Sequence, residues 1–234
     1  MKSLSKNTAK FPVKQKNMSS KYVEEMNNIL SEYDNPKVLL HSCCAPCSSF
    51  CMLTLRNVAK LSVFYYNPNI TDEKEYLFRL SEQKRLIDIF NSNPNLELSE
   101  DARQIKCDIS YVNQIDMIGS QYNPNDYLEK VKGYENCPEK GDRCSLCFDM
   151  RLRETALTAK KSGFDLFATT LTLSPLKDAA KINEIGEIIA KEVDIKYLPT
   201  DFKKNNGYKN SIELSSEFNL YRQNYCGCVF SKRN

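Results

Sequence analysis

Three short apolar runs fix most of what this chain can fold into. Lys37-Val-Leu-Leu-His41, Leu61-Ser-Val-Phe-Tyr-Tyr66 and Asp165-Leu-Phe-Ala-Thr-Thr170 read as buried strands, because each is bounded by turn residues and too short for a helix. Between them lie segments with helical spacing. Tyr22, Met26, Ile29/Leu30 and Tyr33 predict a helix entered from Ser19 or Ser20 and stopped by Asn35-Pro36. Thr71 is the expected cap of a helix running through Leu77, Leu80 and Ile87 to Phe90, with acidic residues in its first turn. Further helices are expected from Ser48 or Ser49 to Arg56, over Tyr127–Lys132, from Cys144 to Gly163, over Ala179–Glu192 and over Ser211–Phe218. Ile195–Leu198 is a last strand, and Ile105–Val112 carries weak strand character. Strands alternating with helices at this spacing predict an α/β fold, a parallel sheet with helices on both faces. Its functional edge is then the carboxyl end of the strands, where Cys43-Cys44, Asn67-Pro68 and the stretch 169–177 would meet.

Residues 1–17 read as a lysine-rich, solvated arm, leaving 18–234 as a single domain. The 234 residues carry a formal charge of +3, which permits a polyanionic partner without requiring one. No stretch approaches the ~20 apolar residues of a membrane span. The positive start lacks the apolar core of a secretory signal, so the expected location is the cytoplasm. No GxGxxG or GxxxxGK[ST] is present, so neither a dinucleotide nor a P-loop nucleotide site has support.

Ten cysteines then need an explanation, because disulfides are rare in a reducing compartment. They fall in groups: Cys43, Cys44, Cys47 and Cys51; Cys137, Cys144 and Cys147; Cys226 and Cys228; and Cys107 alone. Cys144-x-x-Cys147 at a helix start suits metal-bound thiolates, whose charge the helix amino end stabilises. Cys43-Cys44 adds two more, provided the backbone bends there. Four thiolates fit tetrahedral zinc or a 4Fe-4S cluster, and the adjacent pair is an unusual zinc half-site. Cys47 is a further ligand candidate, Cys51 reads as core, and Cys107 and Cys137 as structural. Cys226-Gly227-Cys228 is a poor chelate but closes a very small disulfide ring, suited to a redox cycle; extra metal ligands are the alternative. The one histidine, His41, reads as a hydrogen-bonded structural residue. Acid–base chemistry would then fall to carboxylates, Tyr, Lys or Cys.

Taken together, HSCCAPCS, FYYNPNI with EYLFRL, RCSLCFDMRLRETA, FDLFATTLTLSPLKD, KINEIG, DFKKNNGY and YRQNYCGCVFS resemble the QueH-type epoxyqueuosine reductases, from Lys37 to Ser231. The resemblance implies a Rossmann-like, adenine-nucleotide α-hydrolase-like fold. It implies a reaction in queuosine biosynthesis: reduction of epoxyqueuosine to queuosine at the tRNA wobble position. By the same resemblance, Cys43, Cys44, Cys144 and Cys147 hold a 4Fe-4S cluster, and Cys226 and Cys228 form a redox-active pair. An adjacent mononuclear iron is also implied, with Cys47 the candidate ligand. The partners would be a tRNA anticodon loop and an external electron donor, and the acid that protonates the leaving oxygen would be sought among Tyr65, Asp72 and Tyr225. Substrate contacts are expected among Asn67, Asn69, Arg151, Arg153, Lys177, Lys203, Lys204 and Arg222. The alternative reading is a zinc-stabilised RNA-binding module without catalysis.

Overall fold

The computed structural model describes residues 21–106, 111 and 113–232. The expected arm, the Ser19/Ser20 cap and Cys107 lie outside these residues. The predicted alternation folds as β1 (Lys37–His41), β2 (Lys60–Tyr65), β3 (Asp116–Gly119), β4 (Leu166–Thr169) and β5 (Lys196–Tyr197). All neighbouring strands pair in parallel, in the order β3-β2-β1-β4-β5. Before, between and after them run α1 (Lys21–Ser31), α2 (Ala45–Leu55), α3 (Glu73–Ser92), α4 (Pro124–Lys130), α5 (Asp142–Lys161), α6 (Ala179–Val193) and α7 (Gly207–Glu217).

Side chains alternate across a strand, so β1 feeds two cores. Val38 and Leu40 join Met26, Phe50, Leu86 and Phe90 on the face covered by α1, α2 and α3. Leu39 joins Phe148, Leu152, Ile182 and Tyr197 on the face covered by α5 and α6. This is the expected Rossmann-like, two-faced α/β architecture in one domain. The chain adds β2 and β3 on one side of β1, then returns to place β4 on the other. The strand order therefore reverses between β1 and β4, and the crevice beyond their carboxyl ends is where such sheets hold ligands.

Four details depart from the sequence reading. Helix α2 begins at Ala45 with Pro46 in its first turn, ahead of Ser48; a proline with fixed φ and no N–H suits that position. Asp72 rather than Thr71 caps α3, its carboxylate accepting from the Lys74 and Glu75 amides. Strand β3 was not foreseen: it is a four-residue edge strand, half-exposed, paired only to β2, and so has no apolar run. The weak strand expected over Ile105–Val112 lies partly outside the described residues, and 103–106 form no strand.

Helix α7 packs against α2, and Gly207 at its start touches both the turn before it and Phe50. A Cβ there would collide with the Phe202 carbonyl and stand 2.7 Å from the Phe50 ring. Gly207→Ala should therefore cost about 1–3 kcal/mol by overpacking. In a chain of this size that lowers Tm by about 2–12 °C, measurable by calorimetry. An unchanged Tm would show that the turn can move away freely.

Candidate metal and redox site

The crevice begins where β1 ends. Cys44 is the N-cap of α2, in extended backbone, with no side-chain cap bond. The turn from strand to helix gathers the thiols of Cys43, Cys44 and Cys47 within 4.8 Å of one another. Cys43 Sγ and Cys44 Sγ are 3.7 Å apart, although neighbours on a straight strand would point to opposite faces. Two thiolates on one tetrahedral ion with bonds of ~2.3 Å stand roughly 3.8 Å apart, so this pair is spaced to share an ion. All three are free thiols and largely withdrawn from solvent. Hydrogen bonds from Cys44 and Cys47, with the positive charges of Lys177 and Arg151, hold Cys43 well below the ordinary thiol range against its burial. The hydrogen bond with Cys43, together with burial, in turn pushes Cys44 up to about 11 and Cys47 well upward. Thr170 Oγ1, at the end of β4, donates to Cys43 at 3.8 Å, and Gln223 Nε2 donates to Cys44 at 2.9 Å.

Cys144 and Cys147 occupy the first turns of α5 and stand outside that group of three. Cys144 packs against the core cluster that contains Cys43 and Cys44, and Cys147 against the one that contains Cys228. The Lys140 amide donates to Cys144 Sγ at 3.3 Å. Burial raises both thiols, Cys147 to about 11. One turn further along α5, Arg151 is 2% exposed. Its guanidinium donates to Asn67 Oδ1 at 2.7 Å, to His41 Nε2 at 3.2 Å and to Cys147 Sγ at 3.9 Å. His41 Nε2 also lies 3.1 Å from the Tyr66 carbonyl, and His41 Nδ1 lies 3.0 Å from Thr169 Oγ1. Burial, reinforced by Arg151, lowers His41 to about 3, so it is a neutral structural residue as expected. Asn67 is fully buried and also donates to the Ser42 carbonyl. Asn67 and Arg151, expected to face substrate, here bond each other.

The tail brings the last two cysteines over this edge. Gly227 has φ +101°, open to glycine at no steric cost, and a Cβ there would stand 2.6 Å from Ile70. The Cys226 carbonyl accepts from Asn69 at 3.2 Å and from Arg79 at 3.3 Å, and the Gly227 carbonyl from the Thr71 amide at 3.3 Å. Arg79, 1% exposed, pairs with Glu75 and lies 5.2 Å from the Tyr225 ring centre. Cys226 is half-buried and Cys228 buried; a hydrogen bond between them pulls Cys226 well below the ordinary thiol range and pushes Cys228 well above it. Cys226 Sγ is 3.0 Å from Ser231 Oγ, and Cys228 Sγ is 2.8 Å from the Tyr127 hydroxyl.

The remaining candidates scatter. Lys177 is half-buried; burial lowers it, but the neighbouring sulfurs of Cys43, Cys47 and Cys226 leave it raised, and its ammonium has no hydrogen-bond or ion-pair partner among the described residues. Arg222, exposed, bonds Ser215 Oγ at 2.9 Å. Arg153 is ion-paired to Asp149 and Glu192, and Lys203 bonds the Lys177 carbonyl. Tyr65 is buried against Tyr76, and Asp72 is spent as a helix cap. Cys51 is core, and Cys137 sits in a turn. Arg79, Tyr127, Gln223, Thr170 and Ser231 were missed. Only Arg79 left a signal, as a cation on the stripe Tyr76, Arg79, Gln83, Leu86 and Phe90 that α3 buries.

A sequence model of the family described as "Epoxyqueuosine reductase QueH" matches residues 38–234. This chain belongs to that family. Relatives carrying the same name include one from Staphylococcus epidermidis, 38% identical over 224 residues, 93% of this chain and 87% of the relative. One from Streptococcus pyogenes serotype M1 is 40% identical over 198 residues, 85% of this chain and 71% of the relative. One from Thermotoga maritima is 32% identical over 197 residues, 83% and 89% of the two chains. The QueH family is one of oxidoreductases by its name, as the sequence reading expected. No helix among the described residues is long and apolar enough to cross a membrane.

Replacing Arg151 tests the brace at the heart of the site. Lysine keeps the charge but cannot spread donors to Asn67, His41 and Cys147 at once. Leaving buried acceptors unpaired costs about 1–3 kcal/mol, so Arg151→Lys should lower the urea midpoint and Arg151→Met should lower it further. Equal midpoints in all three proteins would show that the guanidinium braces nothing.

Proposed function

We propose that this protein reduces epoxyqueuosine to queuosine in tRNA, with Cys226 and Cys228 as its redox-active pair and a 4Fe-4S cluster held by Cys43, Cys44, Cys144 and Cys147. Family membership over residues 38–234 carries the reaction. The closing of three distant cysteine segments onto one sheet edge supports the site: Gln223 ties the tail to Cys44, and Arg151 ties Cys147 to the ends of β1 and β2. Thiol donors at two helix amino ends, in the field of Arg151 and Lys177, suit an anionic metal centre. Cys47, grouped with Cys43 and Cys44, is the candidate ligand of a second iron. When bound, the cluster would relay single electrons from an outside donor to restore the dithiol, and the second iron would polarise the epoxide oxygen.

The chain's own residues supply the rest. Loss of the epoxide oxygen as water consumes two electrons and two protons, the content of one dithiol. Arg79, Asn69 and Thr71 fix the carbonyls on either side of Cys226–Gly227, which holds that dithiol at the crevice mouth. Lys177, whose ammonium has no hydrogen-bond or ion-pair partner among the described residues, suits the developing negative charge on oxygen. Tyr221 meets exposed Phe78 edge-on, with ring centres 4.8 Å apart, and bonds Glu75, the partner of Arg79; this offers a surface on which unstacked loop bases would stack.

Anaerobically reconstituted protein should be brown, with roughly four irons per cluster, and should convert epoxyqueuosine in tRNA when given a chemical reductant. Cys43→Ser and Cys144→Ser should lose that iron. Cys226→Ser should keep it and lose turnover. Colourless protein with stoichiometric zinc and no turnover would instead establish the zinc-stabilised RNA-binding module.

A further inference from the structure

The two tail thiols are chemically unequal, and their inequality assigns them different steps. Cys226 is half-buried at the crevice, on the side where Lys177 and Arg151 act on it. Cys228 is 4% exposed, enclosed by Tyr127, Val131 and Cys147. The Tyr127 hydroxyl is 2.8 Å from Cys228 Sγ and makes no other hydrogen bond among the described residues. Tyr127 is itself 1% exposed, so its hydroxyl is committed to that sulfur. Of the two sulfurs, Cys226 is therefore the more accessible to a macromolecular substrate in the crevice.

We propose that Cys226 forms a covalent thioether with the substrate, that Cys228 resolves it, and that Tyr127 is the positioning residue that holds Cys228 Sγ for that second attack. This rests on the redox-pair reading given above. In the first step the Cys226 thiolate attacks one epoxide carbon. A C–S bond forms, the C–O bond breaks, and the oxygen takes its electron pair and a proton to become a hydroxyl on the neighbouring carbon. Backside opening leaves sulfur and oxygen on opposite faces, the arrangement that elimination needs. In the second step the Cys228 thiolate attacks the Cys226 sulfur. An S–S bond forms, the C–S pair becomes the carbon–carbon double bond, and hydroxide leaves to be protonated as water. The dithiol is oxidised to the disulfide, the epoxide is reduced to the alkene, and both thiol protons end in the water. No other reductant is needed for one turnover. Gly227 keeps the two sulfurs within reach of each other, and the Tyr127 hydrogen bond stabilises Cys228 as its negative charge develops.

The test is a single turnover under anaerobic conditions. The full chain, metal-reconstituted, is reduced and freed of reductant, then mixed with epoxyqueuosine-containing tRNA. Wild type should yield up to one alkene per protein; a wild type that makes none under these conditions, yet turns over with continuous reductant, defeats the redox-pair reading itself. Cys228→Ser, with iron content matching wild type, should release no alkene and gain the mass of the nuclease-trimmed substrate on Cys226. Cys226→Ser should gain none. Tyr127→Phe should form the adduct at the wild-type rate but resolve it about ten- to a hundredfold more slowly, the rate equivalent of one hydrogen bond to a charged sulfur. An adduct on Cys228, alkene released by Cys228→Ser, or a productive wild type with no adduct in either cysteine variant overturns the assignment. Equal slowing of both steps in Tyr127→Phe would reduce Tyr127 to a packing residue.

Discussion

Everything at this sheet edge depends on one buried cation. A guanidinium withdrawn from water is costly, and it is tolerated only where its donors are satisfied. Arg151 meets that condition by reaching three elements at once: Asn67 beyond β2, His41 at the end of β1 and Cys147 on its own helix. The constraint propagates. Arg151 meets the His41 ring, that ring is within hydrogen-bond reach of Thr169 Oγ1 and the Tyr66 carbonyl, and Thr169 Oγ1 accepts from the Leu171 amide. On the other side Asn67 holds the Ser42 carbonyl, immediately before Cys43. The geometry of the cysteine turn is thus fixed by a side chain more than a hundred residues away.

Arg79 does for the tail what Arg151 does for the strand ends. It is buried, balanced by Glu75, and points its remaining donors at the carbonyls of Tyr225 and Cys226. On the same stripe of α3, Gln83 Oε1 accepts from Ser42 and Ser48, which flank the cysteine turn. One helix therefore holds both the first cysteine group and the last. Backbone–side-chain bonds of this kind position a loop more firmly than its own sequence can, and the short tail around Cys226 has no secondary structure to position it otherwise.

The sequence made the sheet readable where strands are buried on both faces. β1, β2 and β4 appeared as apolar runs because they lie at the centre. β3 is an exposed edge strand, and nothing in Asp-Met-Ile-Gly marks it. The helix start was misplaced by three or four residues at α2, where Pro46 opens the helix ahead of the expected serine, and by one at α3, where Asp72 caps in place of the expected threonine. The cysteine groups were legible from clustering alone. Their supports were not: Tyr127 sits on a helix of seven residues, and Gln223 bonds Cys44 across 179 positions. Asn67 and Arg151 drew attention for the wrong reason. Polar residues at a strand end and on a helix after a cysteine motif suggest ligand contacts, whereas burial turned both into each other's partners.

The placement of Arg151 also couples the thiol groups electrically. Its charge acts on Cys147, Cys43 and Cys226, one from each cysteine segment. In a poorly solvated interior such interactions are weakly screened, so negative charge gained at one segment competes for the same cation as charge at the others. Lys177 repeats the pattern with Cys43, Cys47 and Cys226. Two cations shared among three thiol groups favour states in which the total thiolate charge stays nearly constant. Charge leaving the tail pair makes room for charge at the strand-end group, and the reverse. The proposed function, with electrons passing between thiols and a thiol-bound centre, would need this balance, and two side chains set between the groups would supply it.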